Sequence, residues 1–191
     1  MFIIKGILEV LGFIFEIYEK RYLIYELVKR DFKNKYMGSV LGLVWAVLQP
    51  LLMMTIMWFV FTFGLKADRG SASAPFVCYL FTGMGAWNFF GESLSGSTNV
   101  IFEYSFLVKK VNFRLSILPI VKLLSSGIIS FVFLTIVVIV LFVNGIYPSL
   151  LWFQLFYYII AMMLLTLGLS WITSAMNVFR EKIIGAVAEV S

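Results

Sequence analysis

Polar side chains recur at helical spacing inside stretches of this chain that are otherwise apolar. Asn88, Glu92, Ser95 and Asn99 follow one another at steps of four, three and four, and so share one helix face. Gly38, Gly42, Trp45 and Gln49 make a second stripe, and Ser170, Ser174 and Asn177 a third. Hydrocarbon offers such groups no hydrogen bonds, so they must face protein or water. Two readings stay open. The stripes are either contact surfaces between helices, where small residues allow close approach and polar ones bridge, or the lining of a hydrophilic path. Glu92 favours the path, because an ionisable group within a span is costly and often marks a substrate route. Near the end of its helix it would instead pair with a neighbour. Trp45, Trp58, Trp87 and Trp171 are either belt and packing residues or flat faces on which a sugar ring can stack.

Much other chemistry is excluded by residue type. The chain has no histidine and one cysteine, Cys78. That removes the commonest general base, the usual triads and zinc ligands, an internal disulfide and any metal site built on several thiolates. Asp31, Glu92 and Glu103 are the carboxylates available to an enzyme acting on lipid-linked sugars, but they form no recognisable motif. No GxxxxGK[ST] phosphate-binding loop occurs. The chain therefore reads as a non-enzyme with no cofactor or metal of its own, and ATP hydrolysis, if it drives the process, belongs to a separate subunit.

The elements that hold these stripes follow from composition. Apolar residues make up 62% of the chain and charged ones only 13%, a balance that suits lipid as solvent better than water. Four stretches reach the roughly 20 residues needed to cross a bilayer as a helix: about 40–63, 75–100, 118–143 and 150–176. Residues 1–37, the segment between the second and third stretches up to Lys122, and the tail carry thirteen basic residues; the two intervening loops carry two, Lys66 and Arg69. The positive-inside rule then places the N-terminus, the middle segment and the tail in the cytoplasm. The expectation is an all-α polytopic membrane protein in one domain, with residues 1–37 lying in the cytoplasmic interface and 38–191 forming the transmembrane part.

Met1 to Tyr18 lacks the basic start, uninterrupted apolar run and small-residue cleavage site of a signal peptide. Instead, Phe2, Ile3, Ile7, Leu11, Ile14 and Tyr18, continued by Tyr22, Tyr25, Val28, Phe32 and Tyr36, recur near helical spacing with charges between. That pattern predicts interfacial helix, serving either as an anchor or as a docking surface for a cytoplasmic partner. Residues 102–117 mix Phe and Leu with Lys109, Lys110 and Arg114, which suits a short amphipathic helix that anchors at headgroups or docks into a motor subunit.

Several of these pieces together resemble one family. Arg30-Asp31-Phe32-Lys33-Asn34-Lys35-Tyr36, Gly38-Ser39, Leu41-Gly42, Trp45 and Gln49-Pro50 look like the start of the first spanning helix in bacterial polysaccharide ABC-exporter permeases. Leu107-Val108-Lys109-Lys110 through Phe113 to Pro119 is similar to that family's first cytoplasmic loop, and Gly168-Leu169-Ser170-Trp171 through Asn177-Val178-Phe179-Arg180-Glu181 to its fourth-helix exit. Glu181 stands where Asp is more usual.

The resemblance implies a permease subunit in the bacterial inner membrane. It would work as a homodimer with two ATPase subunits that hold ATP and magnesium, and would export a polyprenyl-diphosphate-linked polysaccharide, O-antigen foremost, rather than bind nucleic acid. The alternatives are a permease for drugs or lipids and the membrane enzyme above. The family has six spanning helices, so the chain is expected to be incomplete at its C-terminal end. On this reading Trp45, Gln49, Trp87, Asn88, Glu92, Ser95, Asn99, Ser170, Trp171, Ser174 and Asn177 line the sugar path. Arg30, Lys33 and Lys35 meet the lipid diphosphate, or simply report the positive-inside signal. Phe102, Tyr104, Phe106, Leu107, Lys109, Lys110, Phe113 and Arg114 touch the ATPase.

Overall fold

The computed structural model describes residues 12–13, 15–36, 41–66, 75–105 and 114–190, with the backbone alone for residue 151 and for 181–190. The described residues are helical with no strand among them. Helix α1 is Arg21–Tyr36. Helix α2, Gly42–Phe59, continues into a π-helical turn, Val60–Gly64. Helix α3 is Phe76–Thr98, the single turn α4 is Val100–Glu103, α5 is Ile117–Val143 and α6 is Phe153–Val190.

Local sequence explains the helix ends. Pro75 precedes α3 in an extended conformation, and its missing N–H costs nothing at a helix start, where that donor would be unpaired anyway. Pro119 falls in the first turn of α5, where its missing N–H leaves no gap in the hydrogen-bond ladder. Gly145 ends α5 at φ +77°. Its N–H reaches the Phe142 carbonyl and that of Ile146 reaches Leu141, each at 3.0 Å, a paired closure that turns the chain sharply toward α6.

Gly42, Ile117 and Phe153 begin the helices that are long and apolar enough to cross a membrane, through Gly64, Val143 and Arg180 respectively. They match the first, third and fourth expected spans, although α6 runs on as helix to Val190 rather than ending near 176. The second expected span forms as α3, 23 residues or about 34 Å long. It has the length, but Asn88, Glu92 and its Ser/Gly-rich end keep it below the same apolar standard. Its principal neighbours are α5 and α6; Cys78, Phe81, Phe89, Ser93 and Ser97 are buried, while Asn88 and Glu92 of the polar stripe are half-buried and Ser95 and Asn99 exposed. Helix α2 is a contrasting case: only Met54 is fully buried, Ala46, Val47, Leu51 and Trp58 pack partly buried against the core, and its other face is open.

Helix α1 packs on the end of this bundle. Ile24 and Leu27 join Val100, Tyr104, Ile117, Leu118 and Val121 in one buried cluster. Tyr36 joins Met54, Phe81, Ile129, Phe133 and Val137 in another. The buried face of α1 is thus Ile24, Leu27, Asp31 and Tyr36, whereas Tyr22 and Tyr25 of the expected stripe are 76% and 61% exposed. Val28, Phe32 and Tyr36 of that stripe pack against the bundle, and the two exposed tyrosines stay available to an interface, which a tyrosine suits as well as a core. Gly42 is needed at the α1–α2 joint: any side-chain carbon there would collide with the Tyr36 carbonyl oxygen.

Candidate functional site

Asp31 and Lys35 lie one helical turn apart on α1 and hold two separate polar networks. The first is buried. Lys122, near the start of α5, donates to Asp31 Oδ1 at 2.6 Å and pairs with Glu103 Oε2 at 2.6 Å. The Tyr104 hydroxyl also donates to Asp31 Oδ1, at 3.2 Å. Burial, and then the charge of Asp31, push the Tyr104 phenol above its usual range, so it stays a proton donor. A buried lysine is tolerable here because two carboxylates compensate it. The network ties α1, α4 and α5 to one point.

The second network is half-exposed. Glu92 of α3 accepts a hydrogen bond from Lys35 Nζ at 2.7 Å and another, on the same oxygen, from the Tyr36 hydroxyl. Tyr36 is also held protonated, first by burial and then by Glu92. Lys35 and Glu92 keep 40% and 26% of their side-chain surface, so water screens this pair more than the first.

Between the networks lies a cavity of about 600 Å³, within the usual range for small-molecule sites. Its charged lining consists of Arg30, Lys35 and Lys122 against Asp31, Glu92 and Glu103, with Asn34, Ser95, Asn99 and Tyr104 adding polar groups. Beyond Glu92 is a smaller cleft of about 230 Å³, bounded by Pro50, Trp87, Asn88, Ser130 and Phe133 among others. The amide Nδ2 of Asn88 is buried there without a partner among the described residues.

The structure therefore brings together the α3 stripe, Asn88, Glu92, Ser95 and Asn99, with Trp87 beside it and Arg30 and Lys35 at one end. Lys33 is exposed and lines neither cavity. Trp45 and Gln49 sit on the open face of α2, away from both cavities.

The α6 stripe has a different position from the one expected of a path. Ser170 and Ser174 are buried, and Asn177 donates to the Thr98 carbonyl at 3.0 Å and to Asn99 Oδ1 at 2.9 Å. Trp171 donates from Nε1 to the Ser116 carbonyl at 3.0 Å and meets Phe13 edge-on at 5.8 Å. Asn177 and Trp171 thus fasten α6 to its neighbours, Ser174 donates to the Trp171 carbonyl of its own helix at 3.1 Å, and none of the four lines either cavity.

Of the expected ATPase contacts, Phe106, Leu107, Lys109, Lys110 and Phe113 lie outside the described residues. Phe102 is 40% exposed. Arg114 pairs with Glu16 at 2.9 Å. Tyr104 departs from expectation: its ring is buried in the core and its hydroxyl is spent on Asp31, so its side chain does not face outward. Lys122 and Tyr36, which hold the two networks, are not among the expected site residues. The available signal was a lysine a few residues into the most apolar run, which demands a counter-ion.

The ABC-2 type transporter family model matches residues 22–188 of this chain. The chain belongs to that family. It is 28% identical over 170 residues to the O-antigen export system permease protein RfbA of Klebsiella pneumoniae, covering 88% of this chain and 62% of that relative. It is 30% identical over 170 residues to the protein of the same name from Myxococcus xanthus, covering 87% of this chain and 63% of the relative. The chain thus spans somewhat under two thirds of the length of these relatives. The ABC-2 match takes in α1 through most of α6, so both polar networks lie within the family's shared region.

Proposed function

We propose that this chain is the permease subunit of an ATP-driven exporter that moves a polyprenyl-diphosphate-linked polysaccharide, O-antigen foremost, across the bacterial inner membrane. The similarity to O-antigen export permeases over 170 residues carries this reading. The polar face of α3, which lines open clefts of an otherwise apolar bundle, supports it, since a moving glycan needs hydrogen-bonding groups along its route. Two copies would assemble with two ATPase subunits that hold ATP and magnesium. Gln49 on the open face of α2 favours a second copy there, because lipid would leave its amide unsatisfied. The N-terminus, the 102–117 segment and the tail would be cytoplasmic, with 102–117 receiving the ATPase stroke.

A clean deletion in the source bacterium, in a background without paralogues, tests the reading. Loss of surface polysaccharide with accumulation of lipid-linked chains inside supports it; normal surface glycan sinks it. Purification of the tagged protein should bring down a separate ATPase. If ATP hydrolysis by that reconstituted complex responds to drugs or simple lipids and not to lipid-linked glycan, the export of polysaccharide is the wrong assignment.

A further inference from the structure

Two open clefts follow one another along α3 and meet at Glu92, which lines both. The larger is bounded by Ser95, Gly96 and Asn99 at the end of α3 that carries α1. The smaller lies deeper, at Trp87, Asn88, Phe89 and Gly91, against Pro50 of α2 and Phe133 of α5. From Asn99 to Trp87 is about 18 Å of helix, and the hydrocarbon of one leaflet is about 15 Å thick. The clefts therefore have the depth of a phospholipid headgroup followed by the upper part of an acyl chain. We propose that together they hold one phospholipid with an ethanolamine headgroup, its ammonium on Glu92, its phosphate on Lys35 and an acyl chain in the smaller cleft. Such a site needs only a bilayer around the bundle, whatever the protein exports.

Charge selects the headgroup. In the larger cleft Arg30, Lys35 and Lys122 stand against Asp31, Glu92 and Glu103. An anionic headgroup or a diphosphate would tip that balance to the negative side, whereas a zwitterion preserves it. Lys122 is committed to Asp31 and Glu103. Lys35 and Glu92 form the half-exposed pair, and both hydrogen bonds to Glu92 fall on Oε1. Its Oε2 accepts none among the described residues. An ammonium can therefore take Oε2 where the clefts meet, while a phosphate oxygen accepts another proton from Lys35. The four charges then alternate in a ring, and the Lys35–Glu92 pair is kept. The ammonium must carry N–H groups, because a trimethylammonium offers a carboxylate no donor. None of the described residues lining the smaller cleft is basic, and Pro50, Trp87, Phe89 and Phe133 give it apolar walls suited to hydrocarbon. The amide Nδ2 of Asn88 lacks a partner among the described residues, and an ester carbonyl at the head of the acyl chain can supply one.

Lipid retention tests the site in the full chain with its partners, purified in mild detergent. Phosphatidylethanolamine, phosphatidylcholine and phosphatidylglycerol with identical acyl chains are added in turn, and the lipid kept by each complex is counted by native mass spectrometry. The ethanolamine lipid should be retained about tenfold more tightly than either of the others. Glu92→Gln and Lys35→Met should each lower it about tenfold, to the level of the choline lipid. Lys29→Met, an exposed lysine of α1 that lines neither cleft, should change nothing. Gly91→Leu fills the smaller cleft from a position where an added side-chain carbon meets nothing within 4 Å. It should also cut retention about tenfold, with every charged group left in place. Equal retention of the three lipids, or tighter retention of phosphatidylglycerol, overturns the headgroup assignment. Unchanged retention in Glu92→Gln and Lys35→Met overturns the placement, and unchanged retention in Gly91→Leu overturns the seat of the acyl chain. Glycerophosphoethanolamine, which has no acyl chains, should compete at least tenfold less well than the lipid. Equal competition would mark a pocket for a soluble ligand and overturn the lipid.

Discussion

Two carboxylates anchor the same helix in opposite ways. Asp31 is 5% exposed and held by a buried lysine and a buried phenol, with Glu103 sharing the lysine. Glu92 is held by a neighbouring pair of donors, one of them 40% exposed. In the first network Asp31 and Lys122 are removed from water, so loss of one strands the other in low dielectric, while Glu103 stays half-exposed. In the second, water can replace Lys35 at small cost. The contrast separates a joint from a latch: α1 is fixed to α5 at one point and meets α3 through a contact that can be exchanged. Cavities lie on both sides of the exchangeable contact, and Glu92 lines both.

Breaking the joint should have the largest effect. Lys122→Met leaves Asp31 buried without its cation and is expected to cost about 3–5 kcal/mol, read as a large fall in the thermal midpoint of the purified protein. Adding Asp31→Asn should restore much of that loss, since the stranded charge disappears. If the double variant is as unstable as the single, the network is not electrostatically coupled as described.

The next effect comes at the hinge that aims the latch. Gly42→Ala drives a methyl group into the Tyr36 carbonyl and should cost about 1–3 kcal/mol. It should also loosen Tyr36, visible as faster amide exchange in the last turn of α1. Unchanged exchange there would mean that the α1–α2 joint absorbs the methyl elsewhere. The Asn177→Ala change removes the amide that bridges α6 to Thr98 and Asn99, and about 1 kcal/mol is expected, with increased exchange at the end of α3.

Cutting the latch should matter least for stability. Lys35→Met is expected to shift it by about 0.2–1 kcal/mol. A loss as large as that of Lys122→Met would erase the distinction between the two regions. Alkaline titration gives a last comparison. Tyr36 and Tyr104 both have phenols raised above the ordinary value of 10.0. Above that pH the unfolded chain releases these protons while the folded one retains them, so stability is greatest below pH 10 and falls as pH rises past it. Replacing both with Phe should flatten that fall in a denaturation series between pH 9 and pH 11 or so.

Much of the architecture was legible before any coordinates. Apolar length alone marked α2, α5 and α6, since a bilayer imposes a length that few soluble helices match. The spacing of Asn88, Glu92, Ser95 and Asn99 placed them on one face, and they do share the cavity side of α3. Spacing could not distinguish that stripe from Ser170, Ser174 and Asn177, which obey the same period but serve as contacts between helices. A helical repeat reports which residues point together; what they point at depends on the neighbouring helix.

Residue chemistry by itself thus determined the class of this protein. Its excess of apolar residues suits lipid, apolar runs of about 20 residues then point to helices, and its lack of histidine and near lack of cysteine remove the commonest catalytic and metal-binding side chains. Only the tertiary structure decided which charges meet. Lys122 lies 91 residues from Asp31, and Glu92 lies 57 from Lys35. Pairings at that separation are set by how α1 seats against α3 and α5. That seating depends on the fit of Ile24, Leu27 and Tyr36 into the bundle, a matter of shape and burial that no periodicity along the chain records.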